Sequence, residues 1–325
     1  MIDVIGIDAP CVDCLVNVDR MPQNNDSLPM NQMSWQGGGK SATAMIALAR
    51  LGISCGIVAN VGEDLYGDMI EWDFQQHGVD TSHLFHVPGT ETPLSLVLSD
   101  RETMGRSVIW QSGRVPIISQ LDAEYLQQAK YLLVPGAHGV FEQAMDIIHQ
   151  AGGRVVIDAD RFDQRILDRL NKIDVFIGSE FFFQQAAKGQ KIQDYCRLLQ
   201  RQGPQTVLFT LGEKGCAGLG SEGAYFEMPA FKVNAIDTTG AGDVFHGAYI
   251  YGLLHGWNDA KCALWASAVS AIQVTQLGGR AGIPDAKMVE KFLSKGTFDS
   301  SLLEHRSVWY ANALENTVKE RKISN

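Results

Sequence analysis

The sequence predicts an α/β fold: a central, mostly parallel sheet flanked by helices, with a small β-sheet lid. Three observations predict it. Short β-branched runs alternate with helical stretches along most of the chain, the rhythm of right-handed βαβ crossovers. Unusual residues gather in three loops, 36–43, 210–215 and 237–243, where strands end or helices begin. Two further stretches, 14–36 and 92–115, break the rhythm with short alternating runs such as "TPLSLVLSD" and "RSVIWQSG".

Each element follows from local pattern. "DVIGI" (3–7) reads as a buried first strand, and "GGGKSATAMIALARLG" (37–52) as a glycine turn entering an apolar helix. "CGIVANVG" (55–62) is a second strand and "LYGDMIEWDFQQHG" (65–78) a second amphipathic helix. The alternation resumes with strand 131–136, helix 139–151, strand 154–160, strand 174–179, a helical stretch to about 201 and strand 205–212. Residues 14–36 and 92–115 read as antiparallel strands of a small inserted sheet, a lid. "AYFEMPAFKVNAI" (224–236) is extended, and residues 296–325 read as a polar helical extension.

Composition narrows the function. A chain of 325 residues has ample length for a sizeable core. Its net charge of −10 argues against non-specific nucleic-acid binding, which needs a basic footprint. No run of about 18 apolar residues is present to span a membrane, and "MIDVIGIDAP" lacks the basic start of a signal peptide. Six scattered cysteines point to free thiols in a reducing, cytoplasmic setting. Cys11 and Cys14 form a lone C-x-x-C that reads as a chance pair of small apolar residues.

The stretch "DTTGAGDVFHG" (237–247) carries the chemistry. Its glycines enter an apolar helix, whose free N–H groups and positive dipole end favour an anion. The amides of Gly240, Ala241 and Gly242 form a candidate anion hole, and Asp243 a candidate general base. Phosphoryl transfer needs those two groups together with a metal. "TLGEKG" (210–215) suits contact with a nucleotide. No Walker motif and no G-x-G-x-x-G after a first strand is present, so a Rossmann-type oxidoreductase lacks its signature. The eight histidines show no metal-ligand spacing, and His246 reads as a packed or solvent-facing helix residue.

In these motifs the chain resembles the PfkB (ribokinase-like) family of carbohydrate kinases over nearly all of residues 1–295. "GGGKSATAMIALARLG" is similar to that family's N-terminal glycine signature and "DTTGAGDVFHGA" to its C-terminal one, while "LGGRAGIP" (277–284) fits its closing loop. The resemblance implies ATP-dependent phosphorylation of a sugar hydroxyl with Mg2+, Asp243 as base and Gly240, Ala241 and Gly242 as anion hole. It implies a sugar side at Asp13, Gly38, Gly39, Lys40 and Thr43, and a nucleotide side at Ser179, Thr210, Gly212 and Gly215. Asp237, Thr239, Gly278 and Gly282 match positions that surround a monovalent cation, K+, in many members. A homodimer through the lid is also implied.

Three departures stand out. The first signature's usual Asn is Thr43, and two residues are inserted between Gly6 and Asp13. The family's N-x-x-E becomes Ser179, Glu180, Phe181 and Phe182, leaving Glu180 as a stand-in near Mg2+. The chain ends also resemble sulfofructose kinases, but an arginine for a sulfonate is missing from Pro135, Gly136, Ala137 and His138. Two alternatives remain open: a nucleoside or other ring-alcohol kinase, and a non-catalytic sugar or nucleotide sensor.

Overall fold

Apolar runs too short for a helix become buried strands, and their order in the sheet sets where the polar loops gather. The computed structural model describes residues 2–103 and 105–324; Met104, inside the expected lid, and the terminal Met1 and Asn325 lie outside them. The strands are β1 (Val4–Ile7), β2 (Val12–Val18), β3 (Gln32–Gly37), β4 (Cys55–Gly62), β5 (Asp80–Val87), β6 (Leu94–Asp100) and β7 (Arg106–Gln111). They continue with β8 (Tyr131–Val134), β9 (Arg154–Ala159), β10 (Val175–Ser179), β11 (Thr206–Thr210), β12 (Cys216–Leu219) and β13 (Tyr225–Met228).

The large sheet has the order β13-β12-β11-β10-β9-β8-β1-β4-β5. Its strands are parallel from β11 through to β5, while β12 and β13 pair antiparallel at the other edge. β1 and β8 are buried at every residue, as strands covered on both faces must be. One core lies between the sheet and the helices Lys40–Arg50, Ala241–Leu254 and Asp259–Gln273; the other lies on the opposite face, under helices Val140–Gln150 and Ile192–Gln200.

The small sheet has the order β3-β2-β6-β7. Here the expectation of an antiparallel lid is corrected. β2 pairs antiparallel with β3, but it pairs parallel with β6, from Val12–Leu94 to Val18–Asp100. Both strands leave the large sheet in the same direction, β2 after β1 and β6 after β5, so parallel pairing is the geometry open to them.

Three other differences have local causes. The helical stretch to 201 is two helices, Glu180–Ala187 and Ile192–Gln200, separated at Lys188, whose φ of 48° is left-handed. Of 224–236 only Tyr225–Met228 pairs as a strand. The C-terminal extension is not simply polar: Leu303, Tyr310 and Ala313 are buried, and Trp309 stacks on Trp72 at 4.5 Å.

Candidate active site

Parallel strands bring their C-terminal ends to one edge, where ligands bind in open α/β sheets. At that edge, or just past it, stand Asp8 after β1, Asp158 and Asp160 at β9, Ser179 at β10 and Thr210 at β11. The helix Ala241–Leu254 starts beside them and is buried from Val244 to Gly252, which fixes its N-terminus in place.

Gly240 precedes that helix with φ 75°, a left-handed conformation. A Cβ there would come within 2.6 Å of Gly279 Cα, so the turn packs main chain against main chain. Asp243 follows in the first turn, and its carboxylate has no hydrogen-bond donor among the described residues. Burial, followed by the nearby charge of Asp158, holds its pKa well above the ordinary carboxylate range, and Lys40 opposes that shift.

Lys40 is the cation paired with the aspartates of this edge. Its Nζ lies 3.8 Å from Asp158 and 3.7 Å from Asp160. Burial works against its charge, but Asp158, Asp160, Asp243 and Asp8 together raise its pKa. Lys40, Asp158, Asp160 and Phe162 line an open cleft of about 590 Å3. Below it His246 is buried, its Nδ1 2.7 Å from the Gly242 carbonyl and 3.7 Å from Asp158. Of the two positions expected for His246, the packed one is observed.

On the lid side, the Asp13 carboxylate fills the space beside Gly38: a Cβ on Gly38 would meet Asp13 Oδ2 at 2.4 Å. Burial raises the pKa of Asp13, while the Cys11 thiol, which donates to its Oδ1 at 3.5 Å, and the charge of Arg280 pull it down. Gly39 ends the turn, and the Ala42 amide of the following helix donates to Asp8 at 2.9 Å. Thr43 is buried, with its methyl against Gly279. The C-x-x-C thiols are free, and burial pushes both pKa values up. Cys14 is buried as a packing group, as expected, whereas Cys11 is half-buried and hydrogen-bonds Asp13.

Sequence reasoning missed Arg280. Its guanidinium is fully buried, pairs with Asp73 and donates to the Gly38 carbonyl at 3.1 Å. The Tyr310 hydroxyl donates to the other oxygen of Asp73 at 2.8 Å. Arg306 reaches the Ile283 and Ala281 carbonyls, and Ser307 donates to Gln276 at 2.7 Å. The C-terminal extension therefore clamps the 276–283 loop. Asp8, Asp158 and Asp160 were missed as well, although a carboxylate at a parallel strand's C-terminal end is a legible signal.

Of the residues expected to face a nucleotide, Ser179 and Thr210 are register partners on β10 and β11. Ser179 caps the helix Glu180–Ala187 through the Phe182 amide (3.1 Å) and donates to the Asp160 carbonyl. Gly212 and Gly215 bracket a single 3-10 turn. Glu180 pairs with Lys214 at 3.0 Å, which links this helix to that turn. Asp237, Thr239 and Gly278 come together as a hydrogen-bonded knot, and Gly282 packs on the Gln273 carbonyl beside it.

Comparison with known proteins agrees with this fold. The family model described as "pfkB family carbohydrate kinase" matches residues 1–286. The chain is 27% identical to a ribokinase of Haemophilus influenzae, over 86% of this chain and 95% of that protein. It is 25% identical to a 5-dehydro-2-deoxygluconokinase of Geobacillus kaustophilus, over 90% and 94%. Among solved structures, Arabidopsis thaliana ribokinase complexed with ribose and ATP superposes with TM-score 0.77 at 22% identity, covering 90% of this chain and 99% of that one. An E. coli protein described as a ribokinase II, in complex with ATP and Mg2+, superposes with TM-score 0.79 at 21% identity, covering 91% and 100%. With the family model matching residues 1–286, a span that holds both glycine turns and Asp243, the chain belongs to the PfkB family of ATP-dependent carbohydrate kinases.

Proposed function

We propose that this kinase phosphorylates a hydroxyl of an unphosphorylated sugar, with Asp243 as the general base. The observation that carries the reading is the Asp243 carboxylate, free of hydrogen-bond donors in the first turn of a buried helix and next to Lys40. It takes the proton of the sugar hydroxyl as that oxygen attacks the γ-phosphorus of ATP and the bond to the ADP oxygen breaks. The Gly240 and Gly242 amides receive the developing negative charge and Lys40 adds a fixed positive one, whereas the Ala241 amide, expected to join them, donates instead to the Thr238 carbonyl at 3.3 Å. Ser179, Thr210, Gly212 and Gly215 form the nucleotide side.

Mg2+ suits the hard carboxylate oxygens present, and Glu180 is the one assigned to it. No group of three or more metal-ligating side chains converges among the described residues, so ATP brings the remaining ligands. Bound with ATP, the metal would neutralise phosphate charge.

Asp13, Gly38, Gly39 and Thr43 hold the sugar. A carboxylate suits neutral diols, whereas an anionic sugar would meet the charge of Asp13 while Arg280 is already matched by Asp73. The exposed edge of β7, with Val108, Ile109 and Trp110 at 49%, 63% and 70% exposure, supports a homodimer through the lid. Free thiols at all six cysteines fit a cytoplasmic setting.

A coupled assay with ATP over D-ribose, 2-deoxy-D-ribose, D-fructose, their phosphates and adenosine tests the reading. Preference for a neutral sugar is expected. Preference for adenosine would make it a nucleoside kinase. ATP binding without any turnover would make it a sensor, and preference for a sugar phosphate would overturn the neutral-sugar assignment.

A further inference from the structure

A monovalent cation is held by oxygen atoms, largely main-chain carbonyls, whose lone pairs converge on it. The resemblance implies such a site at Asp237, Thr239, Gly278 and Gly282. The Thr239 and Gly278 carbonyls both accept from one group, the Gln273 side-chain amide, at 3.0 and 2.8 Å. Asp237 is equally committed. Its Oδ1 accepts from the Thr239 amide (2.9 Å) and hydroxyl (2.8 Å), and its Oδ2 from the Gly278 amide (2.9 Å). Gln273 is fully buried at the end of the helix Asp259–Gln273, with its main chain packed on Gly282. Gln273 Nε2 occupies the point between the two carbonyls that a cation bound by both would take, and the buried Oε1 of the same amide has no hydrogen-bond donor among the described residues.

We propose that the Gln273 side-chain amide takes the place of the monovalent cation in this chain, so that the kinase needs none. A primary amide offers two N–H donors from one nitrogen, which matches two carbonyls that would otherwise face each other. The bridge ties residues 237–239 to the 277–283 loop. Gly240 follows directly and packs against Gly279, so fixing the two loops fixes the Gly240–Gly242 turn. The buried charge of Asp237 is met by three hydrogen-bond donors instead of a counter-ion. Turning the amide over would point Oε1 at two carbonyl oxygens, an arrangement tolerable only around a cation. Ion dependence therefore reads the amide's orientation.

The consequence for turnover rests on the anion-hole reading above; the ion-binding statement does not. The full chain, free of sugar and nucleotide, is melted in KCl, NaCl and tetramethylammonium chloride at equal ionic strength. Equal Tm values in the three salts are expected. A cation present at a hundred times its Kd would instead raise Tm by about 5 °C, and a rise of that size in KCl alone would overturn the inference. Gln273→Glu keeps the shape and replaces the donor by an acceptor, so its Tm should rise in KCl relative to tetramethylammonium. Gln273→Ala, if it folds, should do the same. Failure of both variants to respond to K+ would also overturn it. Turnover of D-ribose with ATP should be the same in all three salts, and activation by K+ beyond threefold would count against the proposal. If Asp243→Asn stays active, the base assignment falls while the melting result still decides the role of Gln273.

Discussion

Asp243→Asn keeps the side chain's shape and removes its capacity to take a proton. General-base assistance is typically worth about 100- to 10,000-fold, or about 2.7–5.4 kcal/mol at 1.36 kcal/mol per factor of ten. The loss should stay within that range because the Gly240 and Gly242 amides and Lys40 remain, and affinity for ATP should change by no more than about a few-fold. Stability should move the other way. The native carboxyl has a raised pKa, through burial and then Asp158, so the folded state disfavours its charge. The stability this group contributes is complete below the unfolded-state value of about 3.9 and is lost as pH rises through the higher native value. Asn carries no charge at any pH and escapes that loss. The variant should therefore melt above the wild type at pH 8, with the gap closing towards pH 4. Wild-type kcat/KM should rise with pH through the native pKa, and the variant's should stay flat. Steady-state kinetics, calorimetric ATP titration and melting at both pH values measure all of this. Retention of more than about a tenth of wild-type turnover, or a lower melting point at pH 8, would refute the reasoning.

Asp13→Ala should raise KM for the sugar about ten- to hundredfold, the scale of a hydrogen bond to a charged group, with KM for ATP unchanged in the same assay. Glu180→Gln should raise the Mg2+ needed for half-maximal activity, and an unchanged requirement would remove Glu180 from the site. Tyr310→Phe deletes one hydrogen bond to the buried, negatively charged Asp73. It should cost about 1.5–3 kcal/mol in denaturant unfolding, with a smaller effect if Arg280 alone secures Asp73. Trp110→Glu should shift the protein from dimer to monomer in sedimentation velocity, and an unaltered species would place any interface elsewhere.

What could be read in advance follows from how locally each feature is encoded. β1, β8, β9, β10 and β11 are short apolar runs buried by their neighbours, so their hydrophobicity announces them. β5, "DTSHLFHV", lies at the sheet edge with mixed exposure, and its polar residues hide it. The parallel pairing of β2 with β6 depends on residues some eighty positions apart, which no local pattern reports. At the site, the glycine turns and Asp243 carry a compact motif. Lys40 was legible, but its partners Asp158 and Asp160 reach it only through the order of strands. The buried Arg280–Asp73 pair is the extreme case, since a charged residue in a loop sequence looks solvated until the fold encloses it.

The Tyr310–Asp73 hydrogen bond joins residues 237 positions apart, and that separation has a consequence for the order of events during synthesis. Chains emerge from the N-terminus at about 5–20 residues per second. β1 to β4 and the first glycine turn are made early, and the 277–283 loop much later. The clamp from Arg306, Ser307 and Tyr310 comes later still. Until residue 310 has been translated, Asp73 and Arg280 lack one of the partners that hold them against Gly38. A nascent chain carrying every motif residue would thus have the parts of a kinase with the Gly38 turn unsecured. Catalytic competence should arrive as a late step in translation, well after the sheet has formed.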